Sequence, residues 1–177
     1  MTGDTPVLVV DDHAVMGHAL ATALTLQGFH RSVALPADRL TDDEVLAAAA
    51  DAGDGLVVLL DLHLGDDRLS TPMIPALRDL GARVLVLTAE RSAQRLGECL
   101  EAGADGVFDK AQPFDQLVEA LRDAMDGRTV MSLGAREDLL AGLRSARAAD
   151  RRRLAPFESL TARERDVLAG LLQGRSA

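Results

Sequence analysis

Three apolar runs that end abruptly in polar residues constrain this chain more than any other feature. They are Val7–Val10, Leu56–Leu60 and Val84–Leu87, and none of them contains a polar residue. A strand that is buried on both faces reads as a continuous apolar run, because both sides of its pleat meet hydrophobic layers. The three runs therefore predict central strands of a parallel sheet covered by helices on both faces.

The segments between these runs complete an alternating pattern. Arg31–Leu35 and Gly106–Phe108 read as two weaker strands. Helices are predicted over residues 14–26, 42–50, 72–80, 92–102 and 113–125. Thr41 is the predicted N-cap of the second helix, and Glu44 completes its capping box. Five strands alternating with five helices predict an α/β domain with one five-stranded parallel sheet.

Polar groups follow four of the predicted strands. They are Asp11 and Asp12 after the first strand, Asp61 after the third, Thr88 after the fourth and Lys110 after the fifth. In open parallel sheets, ligands bind in the crevice at the carboxyl ends of the strands. We therefore expect these side chains to converge on one site.

The residue types at these strand ends indicate phosphoryl chemistry. Three neighbouring carboxylates repel one another unless a cation lies among them, and hard oxygen ligands suit magnesium. Asp61 is the candidate nucleophile, because carboxylate attack that forms an aspartyl phosphate is an established mode of covalent catalysis. Magnesium and the ammonium group of Lys110, the one lysine among 19 basic residues, would neutralise the phosphoryl charge. Thr88 offers a hydroxyl, and the small Ala89 leaves its backbone N–H accessible.

Each of these residues also has a plainer interpretation. An aspartate such as Asp12 after a strand often forms a turn or caps a helix, Thr88 alone caps loops, and Lys110 alone suits a solvated surface. His13 and His63 adjoin the acidic positions, but neither has a second histidine four residues away, which disfavours zinc. The conjunction of all these groups at strand ends favours the functional interpretation.

Composition argues against several other protein classes. No apolar run approaches the roughly 20 residues that cross a bilayer. Asp4 precedes the first apolar run and no basic stretch accompanies it, so we expect no secretion signal and a cytoplasmic protein. Cys99 is the single cysteine, so no intrachain disulfide forms; we predict a buried helix residue.

Charge divides the chain into two parts. Residues 1–127 hold 22 acidic and 9 basic residues, a net charge of −13, whereas residues 128–177 hold 6 and 10, a net charge of +4. The first part should repel nucleic acid and the second can approach it. We predict a domain over residues 1–127, a partly helical linker over 128–158 and a fragment of a second domain over 159–177.

Four motifs carry a resemblance to a known family. They are VLVVDDH from Val7, LLDLHL around Asp61, VLVLTA ending at Ala89 and GADGVFDKA around Lys110. Over residues 6–127 they resemble the receiver domain of a two-component response regulator, and the DDH trio resembles its LuxR/NarL-type subfamily. The resemblance implies a flavodoxin-like, doubly wound fold and phosphotransfer from a histidine kinase to the aspartate.

The resemblance also implies roles for individual residues. Magnesium would be bound by Asp11, Asp12, Asp61 and the backbone carbonyl of His63. Thr88 and Lys110 would contact the phosphoryl group and respond to its presence. His63 and Glu90 occupy the positions that tune autodephosphorylation in the family. The chain would be a phosphoacceptor with self-catalysed phosphotransfer and dephosphorylation at most, and would not otherwise be an enzyme.

Two positions depart from the family pattern. Many receivers have a proline four residues after the acceptor, where this chain has Gly65, so we expect a looser or rearranged loop. Many have an aromatic residue three positions before the lysine, where this chain has Val107 with Phe108 beside it. The coupling between phosphorylation and the surface is therefore expected to be weak or differently built.

The segment after the receiver reads as a helix followed by part of a DNA-binding domain. Apolar residues at helical spacing predict an amphipathic linker helix over Leu133–Leu154, and Pro156 is expected to break it. LTARERDVL from Leu160, with a predicted Thr161–Glu164 capping box, and the later GRS resemble the opening of a LuxR-type helix-turn-helix domain. The sequence ends before a recognition helix, so DNA binding is expected only through a complete C-terminal domain.

The sequence leaves four alternative functions to consider. The first is a phosphorylation-gated transcriptional regulator that forms a homodimer, and the second is a stand-alone receiver module that controls dimerisation or partner binding. The third is an aspartyl phosphatase, which would resemble a DxD arrangement, but His63 occupies the place of its second aspartate. The fourth is a receiver that another ligand switches, and the intact acidic pocket argues against it.

Overall fold

The computed structural model describes residues 5–36, 40–65 and 68–158, together with residues 161, 163, 164 and 167. The strands are β1 (Val7–Val10), β2 (Ser32–Ala34), β3 (Val57–Asp61), β4 (Arg83–Thr88) and β5 (Gly106–Asp109). The helices are α1 (Ala14–Leu26), α2 (Asp42–Ala52), α3 (Ile74–Asp79), α4 (Ala93–Glu101), α5 (Phe114–Met125) and α6 (Leu133–Glu158). A short 3-10 helix, Thr71–Met73, leads into α3.

The five strands form one parallel sheet in the order β2-β1-β3-β4-β5. Val10 pairs with Leu60 and Thr88 pairs with Asp109, so the carboxyl ends of the strands reach the same edge of the sheet. β3 is the middle strand. The predicted flavodoxin-like, five-stranded parallel α/β fold is confirmed.

Alternate side chains of each central strand enter opposite cores. Val7 and Val9 of β1 pack in the layer formed with α1 and α5, whereas Leu8 and Val10 pack in the layer formed with α2, α3 and α4. All four are at most 5% exposed, which explains why the run is apolar without alternation. Cys99 of α4 lies in the second layer and is fully buried, as predicted, and burial raises the pKa of its thiol.

The helix ends follow local capping signals. The Thr41 hydroxyl accepts a hydrogen bond from the Glu44 N–H and the glutamate carboxylate reaches back, which confirms the predicted capping box. Helix α1 ends where predicted, just before Gly28, whose φ of 96° suits glycine. Helix α3 is shorter than predicted, because Thr71–Met73 forms the 3-10 turn instead.

Helix α6 packs tightly across α4. An ideal Cβ built on Gly97 of α4 would lie 2.7 Å from the carbonyl oxygen of Leu139, and one built on Gly142 of α6 would lie 2.9 Å from Cβ of Ala93. Leu143 is only 1% exposed at this crossing. The two helices therefore approach at a distance that requires glycine on both sides.

Arginine side chains of α6 reinforce this contact. Arg147 donates from Nη1 and Nη2 to the two carboxylate oxygens of Glu101 at 2.7 and 2.6 Å. Arg136 donates to the carbonyl oxygens of Ala104 and Leu100 at 3.2 and 3.3 Å, close to the C-terminal end of α4. The amphipathic pattern of α6 thus has its partner within the same chain.

The prediction that Pro156 breaks this helix is wrong, since α6 continues to Glu158. Pro156 lies in the last turn, where the missing N–H removes one hydrogen bond without ending the helix.

The predicted capping box of the next segment is confirmed: the N–H and hydroxyl of Thr161 donate to the Glu164 carboxylate at 2.8 and 2.7 Å. The remainder of the predicted helix-turn-helix fragment lies outside the described residues. None of the helices in the described part combines the length and hydropathy that a bilayer crossing requires.

Candidate phosphoacceptor site

Polar side chains from three strand ends meet in direct contact. Lys110, just after β5, donates from Nζ to Oδ2 of Asp11 at 2.7 Å and to Oδ2 of Asp61 at 2.6 Å. Asp11 follows β1 and Asp61 ends β3, and the two carboxylates are only 3% and 6% exposed. The parallel register brings these residues together although 99 positions separate the first from the last.

The charges in this cluster are partly balanced. Burial raises the pKa of Asp61, and the neighbouring Asp11 carboxylate adds to this effect, while Lys110 opposes it. Burial lowers the pKa of Lys110, but its hydrogen bonds to Asp11 and Asp61 prevail, so its pKa lies above the ordinary value. The ammonium group therefore stays charged, and one positive charge faces more than one carboxylate.

The acidic cluster also offers a set of ligand atoms for a cation. One ligand atom from each of Asp11, Asp12, His13 and Asp61 lies within 4.8 Å of all the others. Oδ1 of Asp12 is buried and receives no hydrogen bond from the described residues, although Nδ1 of His13 lies 2.9 Å away. An orphaned carboxylate oxygen in an oxygen-rich cluster fits a hard cation such as magnesium.

Comparison with known families agrees with this geometry. Residues 7–122 match the family model of the response regulator receiver domain. The chain belongs to the response regulator receiver family.

Two relatives refine this assignment within the response regulators. The nitrate/nitrite response regulator protein NarP of Escherichia coli strain K12 is 33% identical over 176 residues, which cover 96% of this chain and 75% of NarP. The probable transcriptional regulatory protein NarL of Mycobacterium tuberculosis strain H37Rv is 30% identical over 182 residues, with coverage of 96% and 74%. The receiver described here is therefore of the NarL/LuxR type, whose members regulate transcription.

Solved structures show the same architecture. A response regulator from Burkholderia pseudomallei, solved with a phosphorylated aspartic acid, a calcium ion and citrate, is 30% identical; the match has a TM-score of 0.56 and covers 70% of each chain. The receiver domain of the putative response regulator NarL from Mycobacterium tuberculosis is 27% identical, with a TM-score of 0.56 and coverage of 70% and 98%. Both comparisons support the receiver fold.

An open cavity of about 790 Å³ gives access to the acceptor of the receiver. Asp61, Thr88, Ala89 and Lys110 line it together, so the structure brings together the groups that were predicted to contact a phosphoryl group. Thr88 ends β4 and is only 1% exposed, and its Oγ1 accepts a hydrogen bond from the Glu90 N–H at 3.1 Å. Its hydroxyl proton remains free to donate, because this bond uses only a lone pair.

The two predicted tuning residues line the same cavity and face each other. Nε2 of His63 lies 3.9 Å from Oε2 of Glu90. The backbone N–H groups of Ser92 and Arg91 hold the pKa of Glu90 below its ordinary value, so this carboxylate is ionised. The backbone N–H of His63 also contacts the acceptor, donating to Oδ1 of Asp61 at 3.3 Å.

The two departures from the family pattern have distinct structural consequences. Val107 packs against the core layer of α2, α3 and α4, and Phe108 packs against the opposite layer, so the aromatic ring lies on the other face of the sheet from Val107. Gly65 adopts a φ of 63° and donates its N–H to Oδ2 of Asp12 at 3.0 Å. The backbone of this loop is thus attached to a predicted metal ligand.

Sequence reasoning missed two features of this site. It set aside His13 as a ligand because no second histidine has zinc-site spacing, yet the structure places its imidazole beside the Asp12 carboxylate. The contact between Gly65 and Asp12 carried no signal in the sequence, because a backbone N–H is present at every residue except proline. The DDH trio was the one available signal for His13.

Proposed function

We propose that this receiver accepts a phosphoryl group on Asp61 from a histidine kinase and thereby controls transcription as part of a response regulator. The position of Asp61 supports this proposal most strongly. Its carboxylate is buried at the end of the middle strand, lines a cavity and accepts a hydrogen bond from the charged Lys110. The structure of the Burkholderia pseudomallei relative holds a phosphorylated aspartic acid, which supports the same chemistry for this chain.

In this proposal, Asp11, Asp12, Asp61 and the backbone carbonyl of His63 hold Mg²⁺. The ion would supply positive charge that stabilises the oxygens of the transferring phosphoryl group. A calcium ion in the same relative supports a divalent cation in receivers of this kind. Oδ1 of Asp12 is buried and accepts no hydrogen bond from the described residues, and this observation favours a cation here.

The remaining roles belong to residues of the chain itself. A carboxylate oxygen of Asp61 forms a bond to phosphorus as the bond to the histidine nitrogen of the donor breaks. Lys110 keeps one positive charge beside the acceptor, and the Thr88 hydroxyl and the Ala89 N–H are positioned to donate to phosphoryl oxygens. In the proposed regulator the receiver forms a homodimer, and DNA is bound only through a complete C-terminal domain.

The direct test is incubation with Mg²⁺ and acetyl phosphate, followed by intact mass measurement. We expect the wild-type protein to gain the mass of one phosphoryl group, and Asp61→Asn to gain none. Asp79→Asn is the matched control, because Asp79 is an exposed carboxylate of α3 and lines a different pocket from Asp61. Phosphorylation that persists in Asp61→Asn, or that is unaffected by EDTA, contradicts the proposal.

His63 and Glu90 are proposed to tune the lifetime of the aspartyl phosphate, since both line the cavity that also contains Asp61. We expect His63→Asn to change the rate of phosphoryl loss while leaving the extent of initial phosphorylation unchanged. Decay of radiolabelled protein measures this rate. Identical decay in wild type and variant removes His63 from the tuning role.

A further inference from the structure

The segment after β3 is folded back on itself, with His63 and Leu69 forming an isolated antiparallel bridge. Backbone hydrogen bonds flank the bridge: Ser70 N donates to Leu62 O at 2.9 Å, and Leu64 N donates to Arg68 O at 2.9 Å. These bonds make the arms 62–65 and 68–70 one paired unit. A displacement of one arm is therefore passed to the other.

One arm of this unit contacts Asp12. The N–H of Gly65 donates to Oδ2 of Asp12, whereas Oδ1 is buried and accepts no hydrogen bond from the described residues, with Nδ1 of His13 2.9 Å away. This hydrogen bond to Oδ2 restrains the rotation of the carboxylate group and therefore the direction in which Oδ1 points. Oδ1 is then the oxygen of Asp12 that remains for a cation.

The other arm is tied to the start of α2 by a single side chain. Arg68 donates from Nη1 to Oδ1 of Asp42 at 2.6 Å and from Nη2 to the carbonyl oxygen of Leu40. Its Nε also donates to the carbonyl oxygen of Leu64 at 3.4 Å, within the opposite arm. The guanidinium group thus fixes both arms to the neighbouring helix.

We propose that Gly65 and Arg68 are positioning residues for the cation, acting through Asp12. Arg68 holds the paired arms in place, the arms present the Gly65 N–H, and that N–H orients Asp12. A proline at position 65 has no N–H to donate and cannot adopt the observed φ of 63°, so this support requires a non-proline residue. The inference rests on the proposed function, because it assumes that Asp12 binds Mg²⁺.

The test is Mg²⁺ affinity measured by isothermal titration calorimetry on the intact chain. We expect Arg68→Ala to weaken Mg²⁺ binding by about tenfold, the lower range for outer-shell partners of metal ligands. Gly65→Pro should weaken it at least as much. Arg95→Ala is the matched control, since the Arg95 guanidinium lies 3.8 Å from Glu98 on the surface of α4, and this change should leave the affinity unchanged.

A double-mutant cycle separates positioning from a general loss of stability. In an Asp12→Asn background, Arg68→Ala should cause no further loss of Mg²⁺ affinity, whereas a merely structural role would produce the same loss in both backgrounds. Unfolding in urea without Mg²⁺ reports stability independently. Equal affinities of wild type and Arg68→Ala, or equal losses in both backgrounds, overturn the inference and leave the proposed function intact. Absence of Mg²⁺ binding by the wild type overturns both.

Discussion

Lys110 holds two buried carboxylates of the receiver, Asp11 and Asp61, close together. Its Nζ lies within 2.7 Å of one oxygen from each of Asp11 and Asp61, and its own side chain is 20% exposed. Removing one member of such a buried cluster leaves the remaining charges uncompensated. Lysine at this position therefore contributes to stability as well as to the proposed chemistry.

We expect Lys110→Met to lower the free energy of unfolding without Mg²⁺ by about 2 kcal/mol, less than a fully buried pair would lose. Saturating Mg²⁺ should reduce this difference, because the cation replaces the lost charge, and the variant should bind Mg²⁺ more tightly than wild type. Urea denaturation with and without Mg²⁺ measures both effects, and Lys110→Arg controls for charge. A loss of stability that Mg²⁺ leaves unchanged contradicts this expectation.

Much of the site could be predicted from individual residues, because strand ends are easy to locate. Asp61 directly follows one apolar run and Lys110 lies two residues beyond another, and a parallel sheet brings such strand ends together. The contact between Gly65 and Asp12 could not be predicted in this way. It depends on the hydrogen bond between Arg68 and Asp42, which lie 26 residues apart in the sequence, and no local sequence pattern predicts a contact between residues so far apart.

At the scale of elements, the crossing of α4 and α6 is the least expected feature of the fold. The spacing of Leu139, Leu140 and Leu143 predicts an amphipathic helix, but periodicity does not identify the surface that covers its apolar face. The structure assigns that surface to α4, where Gly97 and Gly142 permit close approach. Glycine at these positions lacks the helix propensity of alanine and is explained by packing instead.

A pair of glycine substitutions tests this packing. Gly97→Ala places a methyl group against the Leu139 carbonyl oxygen and should lower the free energy of unfolding by about 1–3 kcal/mol. Gly134→Ala is the matched control on α6, since among the described residues no atom beyond its chain neighbours and its own helix backbone lies within 4 Å of the added methyl group. It should leave stability unchanged or raise it by less than about 0.5 kcal/mol, because Gly134 lies in the first turn of α6 and the full propensity difference applies in the middle of a helix. Both values follow from urea denaturation, and a Gly97→Ala protein as stable as wild type contradicts the assigned crossing.

At the scale of the whole molecule, the order of the strands decides which residues share a site. The alternating pattern predicts a doubly covered parallel sheet, but it does not fix the order of five strands, which the resemblance to receivers supplied. The order β2-β1-β3-β4-β5 puts β3 in the middle. Asp61 therefore lies between the end of β1 on one side and the ends of β4 and β5 on the other.

The charge asymmetry also acts at this scale. The acidic receiver and the basic segment after it meet where Arg147 of α6 forms two hydrogen bonds with Glu101 of α4. The pKa of Glu101 is lowered and that of Arg147 is raised by this pairing. A surface ion pair of this kind contributes little to stability alone. The apolar and glycine contacts between α4 and α6 therefore contribute most of the free energy that holds α6 against the receiver.

The central claim is that one carboxylate, at the end of the middle strand, accepts the phosphoryl group. Reduction of an aspartyl phosphate with borohydride converts that residue to homoserine, which peptide mass spectrometry locates in the sequence. After phosphorylation in Mg²⁺ and reduction, we expect homoserine at position 61 and at no other aspartate. Homoserine at Asp11 or Asp12, or reduction at many aspartates equally, would contradict the claim.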